Sequence, residues 1–151
     1  MNTKDIGDIA EANIIARLLE FGWMVAKPFG DNQFYDLIVD YGEGLKRIQI
    51  KSSKYHEKRG VIISYTRRLH NTRTKSVCKA YTKDEIDFFI IYSPELKQIY
   101  LIPIEEQAGK KAAILRVTSP KGRNKNNKNM RWSEKYLINS LNWTCLTKND
   151  R

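Results

Sequence analysis

Apolar residues recur at three- and four-residue steps from Asp5 to Phe21, at Ile6, Ile9, Ala10, Ile14, Ile15, Leu18 and Leu19. That period predicts an amphipathic helix, capped by Thr3 or Asp5 and stopped by Gly22. Trp23 to Ala26 reads as a short strand, followed by a loop with turn formers at Pro28, Gly30, Asp31 and Asn32. Phe34 to Asp40 and Leu45 to Lys51 are β-rich runs flanking Tyr41-Gly42-Glu43-Gly44, which is a hairpin signal. Val61 to Thr66 is expected to continue the meander. The apolar runs Phe88 to Tyr92 and Gln98 to Ile102, joined across Ser93-Pro94-Glu95, are expected to extend a buried sheet. Ser133 to Leu141 reads as a closing helix, with Trp132, Tyr136 and Trp143 as apolar anchors.

Two stretches break this pattern. Arg67 to Lys83 carries Arg67, Arg68, Arg73, Lys75, Lys79 and Lys83 with no acidic residue, and is expected to form a loop or irregular arm. Arg116 to Arg131 intersperses Arg116, Lys121, Arg123, Lys125, Lys128 and Arg131 with Pro120, Gly122, Asn124, Asn126, Asn127 and Asn129. Across 151 residues, 27 Lys and Arg against 17 Asp and Glu leave a formal charge of +10. Such a field draws polyanions, which makes nucleic acid the first partner to consider. The length suits one domain, a sheet packed on two or three helices. No apolar run approaches the roughly 20 residues of a membrane span, and the start lacks a signal-peptide pattern. A cytoplasmic protein with no membrane partner is expected. Cys78 and Cys145 lack the spacing of a zinc site or disulfide framework and read as reduced, packed thiols. His56 and His70, the only histidines, argue against a histidine-rich metal site.

The hairpin carries the sharpest chemistry. With Gly42-Glu43 at its tip, Tyr41 faces Gly44 and, counting back along both strands, Asp36 faces Gln49. Paired residues project to one face, and Lys51 lies on that face one pleat further on. A carboxylate, an amide and an ammonium therefore converge, unless a bulge or a one-residue slip turns one strand over. Glu11 precedes Ile14, Ile15 and Leu18 by three, four and seven residues and so borders the helix face that meets the sheet. Two hard carboxylates with water suit Mg²⁺. Lys51 would orient water or neutralise phosphoryl charge, and Gln49 would position water or a ligand. Each residue also has a purely structural reading: Glu11 paired with Arg17 or a basic loop, Asp36 with Arg47 or Lys51, Gln49 as a cross-strand partner, and Lys51 in solvent.

In Glu11 on the first helix, Asp36 within Phe34-Tyr35-Asp36, and Gln49-Ile50-Lys51, the chain resembles the PD-(D/E)XK nuclease superfamily. Tyr35 stands where that motif has proline, and Gln49 stands where it has an acid. The variant with glutamine two before lysine looks like the group I intron-encoded homing endonucleases of the superfamily. The resemblance spans about the first 105 residues. It implies an α/β (α+β) restriction-endonuclease-like fold, a mixed central sheet flanked by helices in a single nuclease domain over 1–151. It also implies hydrolysis of double-stranded DNA to 5′-phosphate and 3′-hydroxyl ends, with Glu11, Asp36, Gln49 and Lys51 catalytic. Glu11, Asp36 and the Ile50 backbone carbonyl would hold Mg²⁺, with Mn²⁺ as a substitute. Cutting both strands with one site per chain implies a homodimer or homotetramer.

The basic segments around 67–83 and 116–131 are the expected DNA-binding regions. Lys54, Arg59, Arg67, Arg68, Arg73, Lys75, Arg116, Lys121, Arg123, Asn124, Lys125, Asn127 and Arg131 are the candidate contacts, Arg and Asn being suited to guanine and adenine edges. Competing readings are a junction-resolving or restriction nuclease on the same fold, and a DNA-binding module without turnover, which the glutamine at position 49 keeps open. An RNA-binding role is weaker, because most aromatic residues fall within expected core elements.

Overall fold

The computed structural model describes residues 2–30, 32–71, 74–120 and 129–138. The periodic N-terminal segment forms helix α1 (Thr3–Glu20), which buries Ala10, Ile14 and Leu18 along one stripe. Its cap is Asn2 rather than Thr3 or Asp5. The Asn2 side chain accepts the Asp5 N–H at 2.9 Å, while the Asp5 carboxylate accepts the Asn2 N–H at 3.1 Å, a reciprocal capping box. Gly22, at φ 77°, takes the left-handed turn that closes the helix.

The hairpin has the register the sequence predicts. Strand β1 (Met24–Ala26) pairs with β2 (Leu37–Asp40), which pairs antiparallel with β3 (Leu45–Ser52), placing Leu37 opposite Ile48 and Asp40 opposite Leu45. Gly42 and Gly44 supply positive φ in the turn, and the Asp40 carboxylate accepts the Gly42 N–H. Beyond the turn the meander does not continue. On its other side β3 pairs in parallel with β8 (Phe88–Ser93), and β9 (Gln98–Pro103) completes a five-stranded mixed sheet ordered β1-β2-β3-β8-β9. The entirely buried β8 reads as a continuous apolar run because both its faces are covered.

Val61 to Ser64 instead forms β5 of a second sheet, between β4 (Lys54–His56) and β10 (Ala113–Arg116). Ile62, Ala113 and Leu115 pack this sheet onto Phe89, Ile91, Tyr100 and Ile102 of the large one. The single-turn α2 (Ile104–Gln107) and a 3-10 turn (Ser133–Tyr136) join that layer through Ile104 and Tyr136. Helix α1 covers the opposite face, against Leu37, Val39, Ile48, Ile50, Phe88 and Ile90.

Two further expectations change. Arg67 to Lys83 is not irregular: β6 (Arg67–Asn71) and β7 (Ser76–Ala80) form an antiparallel ribbon pairing Arg68 with Lys79. Its charge hid its periodicity. Over the described part of the expected closing helix, 133–138, the chain forms a 3-10 turn and a bridge from Leu137 to Tyr100, where the Ile138 N–H bonds the Ile99 carbonyl, and the rest of that segment lies outside the described residues. Trp143 and Cys145 lie outside the described residues, and Cys78 is half-buried on β7. No helix among the described residues is long and apolar enough to cross a membrane.

Arg47 locks the parallel pair. Its Nε and Nη2 donate to the Asp87 carboxylate at 3.1 and 3.0 Å, its backbone N–H does so at 2.7 Å, and Nη1 reaches the Asp84 carbonyl at 2.5 Å. Burial pushes the Asp87 carboxyl up, but these bonds and the guanidinium charge more than offset it and hold it below the usual range. Arg47→Ala is expected to lower stability by about 2–3 kcal/mol, read by urea denaturation. The Asp87 contribution is present above the ordinary carboxylate value and is lost as pH falls through its depressed native value. The difference between Arg47→Ala and wild type should therefore shrink in acid.

Candidate active site

The site is built where β3 outruns its neighbour. Strand β2 begins at Leu37, opposite Ile48, so Gln49 to Ser52 have β8 on one side and no strand on the other. The exposed edge must find other partners. Asp36, just before β2, supplies one: its Oδ2 accepts the Ile50 N–H at 2.7 Å and the Gln49 Nε2–H at 2.5 Å. Gln49 Nε2 also lies 3.3 Å from the Ile50 carbonyl.

The pleat sorts the side chains. Ile48 and Ile50 face α1, whereas Gln49 and Lys51 project to the other face, beside Phe89 and Ile91. Burial pushes the Lys51 ammonium below the ordinary lysine range, opposed by the negative charge of Asp36. The Asp36 carboxyl is pushed up, first by burial and then by the like charge of Glu11, against the pull of the Ile50 N–H, Lys51 and Lys27. Tyr81 closes the far side. Its ring lies 5.6 Å from Lys51 Nζ and meets Phe89 edge-on, and burial together with the Asp36 charge raises its phenol to about 12.

Glu11 joins from α1 at the border of the buried stripe. One cleft of about 410 Å³ is lined by Glu11, Asp36, Gln49, Ile50 and Lys51, with Gly7 and Asp8 from the first turns of the helix. A second cleft of about 350 Å³ joins Glu11 and Asp36 to Lys27, Gly30 and Tyr35. The structural alternatives divide: Gln49 does bond across to Asp36, and Lys51 is partly buried rather than in solvent. Arg17 pairs with Glu20 at 2.9 Å and Arg47 with Asp87, so neither takes Glu11 or Asp36. The partner of Glu11 is Lys27, sixteen residues away in sequence, which periodicity had no means to flag.

The oxygen donors fit a hard divalent cation. Glu11 and Asp36 share a cleft with Ile50, whose carbonyl lies on the uncovered edge of β3, and a cation there would relieve the like-charge strain on Asp36. Among the described residues no cluster of three or more His, Cys, Asp or Glu offers a denser ligand set.

A model of PD-(D/E)XK endonucleases matches residues 1–139. The chain belongs to this endonuclease family. Its fold is also that of a bacterial homing endonuclease, I-Ssp6803I, at 31% identity and a TM-score of 0.76 over 99% of this chain and 95% of the other. No curated protein matches the chain.

The candidate DNA contacts of this PD-(D/E)XK endonuclease divide by what already holds them. Lys54, Arg59 and Arg67 are exposed, with Arg67 stacked 4.8 Å over Tyr65. Lys75 is exposed beside the ribbon turn. Arg68 is instead committed inward, paired with Glu85 and stacked on Phe34 at 4.3 Å and Tyr81 at 5.5 Å. Arg116 donates to the Arg59 carbonyl at 2.6 Å, and Arg131 to Gln107 Oε1 at 2.8 Å, so both brace the second layer. Arg73, Lys121, Arg123, Asn124, Lys125 and Asn127 lie outside the described residues. The sequence offered no sign of Tyr81 at the site, because it sits in a basic stretch with no period of its own.

Lys51→Met keeps the bulk and removes the charge that holds Asp36 down. The Asp36 carboxyl should then titrate at higher pH than in wild type, measured by side-chain ¹³C NMR in the presence of a chelator.

Proposed function

We propose that this endonuclease is a metal-dependent, sequence-specific double-strand DNA endonuclease of the homing type. The observation that carries the reading is the single cleft shared by Glu11, Asp36, Gln49, Ile50 and Lys51 at the uncovered edge of β3. The likeness to a homing endonuclease over nearly the whole chain supports it.

Glu11, Asp36 and the Ile50 carbonyl would hold Mg²⁺, or Mn²⁺ in its place. Bound there, such an ion supplies polarisation of the phosphate and an activated water. Gln49 keeps the Asp36 carboxylate oriented through the bond from Nε2. Lys51, held between Asp36 and the Tyr81 ring, orients the attacking water and neutralises charge gathering on the phosphoryl oxygens. A water oxygen bonds to phosphorus as the P–O3′ bond breaks. The O3′ atom takes a proton to become a 3′-hydroxyl, leaving a 5′-phosphate on the other fragment.

The chain acts as one nuclease domain, and two copies or two pairs bring a site to each strand of the duplex. The β6–β7 ribbon has the shape that enters a major groove. Arg67 and Lys75 on the ribbon, with Lys54 and Arg59 nearby in the chain, provide phosphate contacts. The working compartment is the cytoplasm, where the protein is bound to DNA.

The test is cleavage of a varied duplex library with Mg²⁺ or with chelator. One defined site should be cut, only with metal. Glu11→Gln, Asp36→Asn and Lys51→Ala should each lose about 10²-fold or more in rate while circular dichroism and DNA binding persist. Cutting of four-way junctions regardless of sequence would replace the homing reading with junction resolution. Binding without cutting in either Mg²⁺ or Mn²⁺ would leave a DNA-binding module.

A further inference from the structure

Four of the charged side chains that line the two clefts group as two unlike pairs. Asp36 and Lys51 are the inner pair, both partly buried, with Asp36 fixed by the Ile50 N–H and the Gln49 amide. Glu11 and Lys27 are the outer pair. Their side chains are 28% and 61% exposed, and a single contact from Lys27 Nζ to Glu11 Oε1 joins them. An exposed pair of this kind adds little to stability and is readily exchanged.

Lys27 also lies where a cation is most wanted. It stands at the start of the segment that runs from β1 to Asp36, lining the same cleft as both carboxylates. Gln49, in place of an acid, leaves two carboxylates, and Lys51 and Lys27 balance them.

We propose that Lys27 is an exchangeable counter-ion of Glu11: it occupies the carboxylate oxygen that a divalent metal needs, and so sets the metal concentration at which the site fills. This rests on the metal-dependent reading above. Lys51 has less freedom, being partly buried on β3 with its Nζ 5.6 Å from the Tyr81 ring. Entry of a divalent ion moves Lys27 out toward solvent, at the mouth of the cleft, and leaves the inner pair in place. Lys27 is therefore a positioning residue that tunes loading without touching the reacting phosphate.

The experiment is direct Mn²⁺ binding to the full chain without DNA, followed through the free-ion electron paramagnetic resonance signal. Lys27→Met keeps the aliphatic stem and removes the competitor, and should bind Mn²⁺ roughly three- to tenfold more tightly than wild type. Lys27→Arg retains the charge and should remain near wild type. Glu11→Gln should abolish the gain when combined with Lys27→Met. Equal affinity of wild type and Lys27→Met, with both still dependent on Glu11, would overturn the role of Lys27 and leave the nuclease reading standing. Absence of Mn²⁺ binding by every protein, together with no metal-dependent cutting, would overturn both.

Discussion

The Ile50 N–H has no strand to receive it on the β2 side, and the Asp36 carboxylate stands in for the missing backbone. Much else in the site follows from that bond. It satisfies the exposed edge of β3, fixes the orientation of an acid that burial would otherwise neutralise, and draws the Gln49 amide into register beside it. A longer β2 would have closed the ladder and covered the site. The candidate site occupies a place where regular pairing stops early.

Holding that edge still requires a sheet that cannot flex. The parallel β3–β8 pair provides it, with α1 packed on one face and the second sheet on the other. Arg47 and Asp87 tie the start of β8 to β3 at the end opposite the site. The hydrophobic layers also create the desolvation felt by Lys51 and Asp36, so the packing that stabilises the fold tunes the groups at its edge. The opposite charges of Lys51 and Asp36, acting through space, each offset part of the burial cost of the other.

How much of this was legible in the sequence depended on range. Helix α1 and the β2–β3 register are local, written in a 3.6-residue stripe and in a glycine-rich turn, and both could be read directly. The convergence of Asp36, Gln49 and Lys51 followed from that register alone, because antiparallel partners share a face. The parallel union of β3 with β8 joins segments about forty residues apart, and no local period encodes it. Val61 to Ser64 has the composition of any apolar strand, and only tertiary packing assigns it to the second sheet. The β6–β7 ribbon went unseen because Arg67-Arg68-Leu69-His70-Asn71 and Ser76-Val77-Cys78-Lys79-Ala80 lack the apolar–polar alternation that marks a half-buried strand. Lys27 illustrates the limit: an ion pair across sixteen residues leaves no trace in spacing.

The ribbon has an inner and an outer side, and the two differ in how freely they can change. Arg68 is anchored by Glu85, Phe34 and Tyr81 against the site, whereas its strand neighbours Arg67 and Leu69, on the other face, are exposed. Substitution at the exposed positions rewrites what the molecule presents without disturbing Asp36 or Lys51. One short hairpin thus carries both a side braced against the candidate site and a side exposed to solvent, so its outer positions can change while the inner contacts stay as they are.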